Sequence, residues 1–426
     1  MRDQNSIDHT LNHLFRQESG KMVSVLVKIF GTENFEMAED VVQDALVSAL
    51  ETWKFKGIPD NPRAWLYRVA RNKAIDIIRK NKHSKQIDFS DPQKQLLTSE
   101  YTLSTTMNNL WKEHQIQDDF LAMMYACCHP KISPENQITF ILKSLCGFST
   151  KEVAKSFLTS EDTISKRIYR TKEFFRKNKI RPQIPSKKDI TSRTGVVLNS
   201  IYLMFNEGYN STHSDDLIRE DLISQAMVLC KSLLDNERTR VPDAYGLMAL
   251  MCFHTARTKG RLTSEGTLIQ LSKQDRSTWS TEMIHLGNNY LYKAGNNTQP
   301  PSSYLMEAVI AYQHCAAKTY EDTNWKAILG CYDVLISISN DPVVSLNRAL
   351  VILELDGPRN AMKALEEIEN KKLLENYYLY HSSIGAVQEQ LGENGKARVS
   401  YAKAHDLTQS KSEKQFLSEK IKSLQS

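Results

Sequence analysis

The sequence predicts an all-α protein, and two observations carry that expectation. Apolar residues recur at i, i+3, i+4, i+7 spacing along nearly the whole chain, and alternating Val/Ile/Thr runs bounded by hairpin signals are scarce. Two polar stretches interrupt the pattern. The first runs from about Lys82 to Gln115, contains "NKHSKQIDFSDPQKQLLTSEYTLSTT", and reads as a flexible linker; the second, "NKIRPQIPSKKD", places two prolines among basic residues. They divide the chain into a first helical part (7–81), a linker (82–115), a second part (116–180), a short linker (181–191) and a long C-terminal part (192–426).

Composition bounds what these parts do. With 426 residues, 41% of them hydrophobic, the chain buries sizeable cores and divides into more than one domain. The net charge of +5 is unevenly distributed: residues 1–185 hold 28 basic and 22 acidic side chains, whereas 186–426 hold 27 and 28. A polyanion-facing surface is therefore expected in the N-terminal part. Seven cysteines, an odd number, and an opening "MRDQNSIDHTLNH" without the apolar core of a signal peptide predict a reduced, cytoplasmic protein. No uncharged apolar run reaches the roughly 18 residues of a membrane span, so no membrane partner is expected.

In the first part, "AEDVVQDALVSALETW" sets Ala38, Val41, Val42, Ala45, Leu46, Ala49, Leu50 and Trp53 on one helical face and leaves Glu39, Asp40, Gln43 and Asp44 on the other. The next helix, within "NPRAWLYRVARNKAIDIIRKNKHSK", has the opposite sign. Leu66, Val69, Ala70, Ala74, Ile77 and Ile78 make its buried stripe, while Arg68, Arg71, Asn72, Arg79 and Lys82 fall near one exposed line. Eight Lys/Arg stand against the single acid Asp76 across residues 61–85, with Trp65 and Tyr67 among them. Cations in the last turn suit the helix dipole, but cations interleaved with aromatics are also how phosphate-binding surfaces are built.

The second part holds "GFSTKEVAKSFLTSEDTISKRIYRTKEFFRKN". Ser149 with Glu152 matches a capping box, and Val153, Ala154, Phe157 and Leu158 give the first helix an apolar face. After a short turn, Ser160 fits an N-cap, with Glu161 and Asp162 in the first turn and Ile164, Ile168, Thr171 and Phe175 as the inner stripe. Thr163, Lys166, Arg167, Arg170 and Lys177 lie outside. This is a helix-turn-helix whose second helix is basic on its outer face, as required of a helix that enters a major groove.

Together these three segments, in this order over residues 7–180, resemble the sigma factors of bacterial RNA polymerase, specifically the compact extracytoplasmic-function group that has only regions 2 and 4. "AEDVVQDALVSALETW" is similar to region 2.2, "PRAWLYRVARNKAIDIIRK" to regions 2.3 and 2.4, and "STKEVAKSFLTSEDTISKRIYR" to the region 4 helix-turn-helix. The resemblance implies that Asp40, Gln43 and Asp44 meet the β′ clamp of the polymerase core and that region 4 also meets the β flap. It implies that Trp65, Arg68, Arg71, Asn72, Asp76, Arg79 and Lys80 capture the melted −10 element, where a flipped base needs planar contacts and the displaced strand needs cations. Trp65 fits either a base platform or a core position. By the same resemblance, Ser160, Thr163, Lys166, Arg167 and Arg170 read the −35 duplex, largely through shape and phosphates. A flexible linker of this length spans about 30 Å, enough for one chain to hold two separated DNA elements.

A two-region sigma factor would end near Pro185, yet the chain continues. "IGAVQEQLGENGKARVSYAKAHDL" places Gly385, Ala397, Tyr401 and Ala404 at offsets of 12, 4 and 3, and "LNRALVILELDGPRNAMKALEEI" repeats the scheme with Ala349, Ala361 and Leu365. Ala361 and Ala397 are 36 residues apart, close to the period of about 34 of tetratricopeptide helix pairs; Gln388 and Gln409 depart from the aromatic and proline of that pattern. An antiparallel array of helical hairpins, TPR-like, is expected. "YLMFNEGYNSTHSDDLIREDL" and "ALMCFHTARTKGRLTSEGTLIQLSKQDRSTW" resemble the C-terminal extension of one extracytoplasmic-function subgroup, for which a regulatory action in cis on regions 2 and 4 is expected. Arg257, Arg261, Asp275, Arg276 and Trp279 fit either a ligand or partner site or a surface loop with internal ion pairs.

"ACCHP" offers Cys127, Cys128 and His129, but adjacent helical residues point about 100° apart and no CxxC pair exists, so no metal is expected. His254 and His314 read as core. There is no P-loop, GxGxxG, GxSxG or HExxH, and neither an enzyme activity nor a cofactor is expected. The competing possibility is a stand-alone helix-turn-helix regulator with a helical effector domain. It shares the second and third parts but leaves the first 80 residues without a role.

Overall fold

In the computed structural model the regular elements of the described residues are helices, as the periodicity predicts. The structure describes residues 2–82, 87–89, 92–211, 218–263, 266–296 and 300–424. It forms two compact units, Met1–Met204 and Phe205–Ser426.

The first unit comprises α1 (Arg2–Phe30), α2 (Phe35–Lys56), α3 (Pro62–Asn81), α4 (Pro92–Gln95), α5 (Glu100–Leu110), α6 (Glu113–Cys127), α7 (Pro134–Phe140), α8 (Thr150–Ser156), α9 (Glu161–Lys177) and the start of α10 (Lys187–Tyr209). Its core joins the first and second parts of the sequence. The rings of Phe35 on α2, Phe140 on α7 and Phe175 on α9 meet, with centroids 4.9 Å apart for Phe35–Phe140 and 5.4 Å for Phe140–Phe175. Helix α1 runs close against the turn after α7. A methyl group at Gly20 would fall 1.8 Å from the Leu145 carbonyl oxygen, so only glycine permits this approach. Ion pairs add to the junction: Lys28 to the buried carboxylate of Asp119 at 2.6 Å, Arg16 to Glu152 at 3.1 Å, and Lys172 of α9 to Glu39 of α2.

One sequence expectation needs revision. The stretch 82–115, read as flexible because it is polar, carries α4 and α5; Leu103 and Met107 of α5 are buried and α5 packs on α3. Two apolar side chains anchor a short helix once a partner face is present, which periodicity within the segment does not reveal. Thr194 of α10 accepts a hydrogen bond from the buried Tyr125 hydroxyl at 3.0 Å, and the compact unit runs to Met204. Within the apolar stripe of α2, Leu46 is half-buried and Leu50 exposed.

The second unit contains α11 (Glu220–Asp235), α12 (Pro242–Ala256), α13 (Thr281–Gly295), α14 (Ser303–Ala316), α15 (Trp325–Ile338), α16 (Pro342–Asp356), α17 (Pro358–Glu366), α18 (Tyr378–Gln390), α19 (Asn394–Leu407) and α20 (Lys411–Ser423). From α11 to α20 consecutive helices pack on each other; the longest connection, residues 257–280, joins α12 to α13. Leu346 and Ala349 of α16, Ala361 and Leu365 of α17 and Val387 of α18 share one core. Gly385 lets Tyr401 lie flat on α18: a Cβ there would stand 2.9 Å from the ring. Small residues at these positions set the close helix contact that their spacing predicts. Cys127 and Cys128 are buried at the end of α6, where Cys128 Sγ donates to the Met124 carbonyl and burial pushes its thiol up to about 12.

Candidate nucleic-acid interface

Helix α3 begins where Asn61 caps it, the side chain accepting from Ala64 N at 2.9 Å, with Pro62 at the first turn. Leu66, Ala70, Ala74 and Ile78 are buried, Val69 and Ile77 half-buried. Opposite them Arg68, Asn72, Asp76 and Arg79 are exposed at steps of four, four and three along one line, with Lys80 beside it. Trp65 is half-buried, its ring 5.5 Å from that of the buried Trp53, so it packs α3 on α2.

The folded linker lies on this basic edge. Arg79 donates to the Glu100 carboxylate, Nη2 to Oε2 at 3.1 Å, and stands 3.9 Å from Asp76. The hydrogen bond from Arg79 holds the Glu100 carboxyl below the usual carboxylate range, although both groups remain in solvent. Arg71 donates to Asn108 Oδ1 of α5. At the other end of α3, Arg63 pairs with Glu113 at 2.6 Å and with the buried Glu18 at 3.2 Å, and its guanidinium lies 5.2 Å from the Tyr67 ring centre. Arg63, Glu100, Asn108 and Glu113 were not singled out by the sequence. Glu100 and Glu113 were visible only as acids in a polar stretch, and nothing local ties them to α3.

On α2, Asp40 and Gln43 are exposed, and Asp44 is exposed with Lys73 Nζ at 3.4 Å. Glu39, next to them, is half-buried because it pairs with Lys172. The faces predicted for α2 therefore hold, with Glu39 withdrawn from the open side.

The helix-turn-helix forms as its caps dictate. Ser149 and Glu152 make a reciprocal capping box, and the Ser160 hydroxyl accepts from Thr163 N at 3.3 Å. Between the helices Leu158 adopts φ 49°, while Leu158 N bonds Lys155 O and Thr159 N bonds Ala154 O. That is a Schellman closure with leucine in the position that usually takes glycine. Leu158 is consequently exposed rather than part of the apolar face. On α9, Ile164, Thr171 and Phe175 are buried and Ile168 half-buried; Ser160, Lys166 and Arg170 are exposed, and Thr163 is half-buried. Lys166 pairs with Asp162 at 2.6 Å. Arg167 is half-buried, its guanidinium 5.0 Å from the Phe157 ring centre, so of the five predicted residues it is one already engaged within the motif.

Comparison with known proteins coincides with these elements. The Sigma-70 region 2 family matches residues 14–84, the Sigma-70, region 4 family matches 122–175, and a family of unknown function, DUF6596, matches 193–295. An uncharacterized protein of Rhizobium meliloti (strain 1021) is 30% identical over 384 residues, which cover 90% of this chain and 89% of that relative. No solved structure matches the chain. An acidic α2 beside a basic α3, followed by a helix-turn-helix, is the equipment of a sigma-70 family protein, and this chain belongs to that family. It is an RNA polymerase sigma factor that binds core polymerase and promoter DNA. With its third domain it is of the extracytoplasmic-function-like kind that carries a C-terminal extension. Among the described residues no helix is long and apolar enough to cross a membrane.

Proposed function

We propose that promoter recognition is divided along the faces described above. Asp40, Gln43 and Asp44 dock on the β′ clamp, the Arg68–Asn72–Asp76–Arg79 line with Arg71 and Lys80 holds the melted −10 strand, and Ser160, Thr163, Lys166 and Arg170 meet the −35 duplex while region 4 contacts the β flap. The observation that carries this is the exposed basic line of α3 set directly opposite its buried stripe, so that every cation can be used without unfolding the helix. The packing of α5 on α3, and of Phe175 with Phe35, supports a closed resting form. Promoter binding then exchanges Glu100 and Asn108 for phosphates and separates region 4 from region 2. Regions 7–81 and 116–180 are the working domains, with 82–115 as the movable connection.

We assign the extension from residue 192 a regulatory action in cis, its helical hairpins offering a TPR-like surface to a protein or ligand. The protein acts in the cytoplasm, without a cofactor or a catalytic step of its own. In vitro transcription by bacterial core polymerase from a randomised promoter library tests the whole assignment. With the full chain, transcripts should show paired −35 and −10 preferences, and a chain shortened to residues 1–204 should change their yield. Duplex binding without polymerase and no specific initiation would sink it in favour of a helix-turn-helix regulator.

A further inference from the structure

A buried guanidinium is tolerated when acceptors take its donors, and two of the three arginines clustered near the end of α12 meet that condition. Arg261 donates to the Tyr209 carbonyl and lies over the Tyr209 ring; Arg276 donates to the carbonyls of His314 and Ala317, each at 2.6 Å. Arg257 does not. It is 8% exposed, its Nε is enclosed without a hydrogen-bond acceptor, and it makes no ion pair among the described residues. What it has instead is an aromatic face: its guanidinium stands 5.2 Å from the centre of the Trp279 indole, which Arg276 also approaches, at 5.0 Å.

The same neighbourhood holds further enclosed polar atoms without partners. Trp279 Nε1 is one; Nδ1 of His254 and Nδ1 of His314 are the others, and the Arg257 charge acts on both imidazoles. Folded proteins leave few such atoms, and finding three beside a guanidinium whose own Nε lacks a partner is unusual. Water would satisfy the neutral groups, but it would not neutralise the cation. An oxyanion does both: it accepts from the guanidinium fork, from the indole N–H and from an imidazole whose proton sits on Nδ1.

We propose that Arg257, Trp279, His254 and His314 form a binding site in the extension for the oxyanion group of a small molecule, a phosphate or a carboxylate. No described carboxylate pairs with Arg257; the acids of the neighbourhood act on the other two arginines, Glu413 on Arg261 and Glu321 with Asp322 on Arg276. The extension is thereby equipped to sense a small anion.

The test is thermal unfolding of the full chain at constant ionic strength, with inorganic phosphate and pyrophosphate in one arm and succinate and citrate in the other, against sodium chloride. Ligand binding to the folded state should raise the midpoint by a few degrees in one arm and not with chloride, and the responding arm identifies the head group. Arg257→Met should lose that rise while unfolding, in anion-free buffer, no lower than the parent, because it removes an unpaired buried cation and keeps an apolar stem. Arg257→Lys should keep part of the rise. Absence of any anion-specific rise, or an equal rise in Arg257→Met, overturns the proposal. So does an Arg257→Met chain that fails to fold, since the guanidinium would then be structural. Tryptophan emission of the parent chain, titrated with the same anions and compared with Trp279→Phe, gives a second reading that does not depend on the stability of the arginine variants. A signal retained in Trp279→Phe would likewise count against the site.

Discussion

Arg79 of α3 and Glu100 of α5 are paired at 3.1 Å across 21 residues of sequence, so an anion of the linker occupies the cation that we assign to the promoter backbone. Both side chains are solvent-exposed, and a pair of this kind is easily exchanged in water. A contact that weak suits a cover that must leave.

Glu100→Gln combined with Glu113→Gln should therefore raise the affinity of the free factor for a single-stranded −10 oligonucleotide several-fold at low salt, with the gain shrinking as salt rises. Fluorescence anisotropy on the full chain measures it. Unchanged affinity would mean that the linker does not compete with DNA.

Charge reversal at Arg71 and Arg79, each to Glu, should abolish promoter opening, read by permanganate footprinting, while leaving assembly with core polymerase intact. Arg79 is exposed and Arg71 half-buried against Asn108, and neither pairs with the acids of α2, so loss of assembly would place the cations in the polymerase contact instead.

Asp40→Ala with Gln43→Ala should weaken binding to core polymerase without changing thermal stability, because both side chains are exposed and neither anchors a partner element. Pull-down with purified core and a melting curve separate the two effects. Undiminished binding removes the clamp assignment.

Gly385→Ala should destabilise the second unit by about 1–3 kcal/mol, since the added methyl meets the buried Tyr401 ring at 2.9 Å in a packed helix pair. Urea denaturation reports it, and a neutral result would show that α18 and α19 separate at little cost.

His314 is buried and His254 half-buried with its Nδ1 enclosed, and desolvation together with Arg257 lowers each to about 3 from an ordinary value of 6.5. The unfolded chain then takes up protons that the folded chain does not, so stability falls as pH drops below about 6.5, by up to about 1.4 kcal/mol per pH unit for each histidine. Denaturation at pH 7.5 and 5.5 should show this loss, and His254→Leu should reduce it. An unaltered pH dependence in that variant would mean His254 is solvated.

Much of this protein is local in origin and was therefore legible. A helix has one period, so the stripe of Leu66, Ala70, Ala74 and Ile78 also located the cations opposite it; the caps at Ser149 and Ser160 marked the helix-turn-helix; and the small residues Gly385, Ala397 and Ala361 marked the close hairpins. What the tertiary structure alone decided involves partners far apart in sequence. The linker that reads as flexible is a helix because α3 offers it a surface, Glu39 leaves the open face of α2 because Lys172 reaches it from 133 residues away, and Arg167 is drawn onto Phe157. Arg257 shows the same division: its place after an apolar helix is evident in the sequence, but that its charge is enclosed without a counter-ion depends on Trp279, His254 and His314 closing around it. Periodicity and capping act over one or two helical turns, whereas burial and charge pairing are set by whichever surfaces the whole fold brings together.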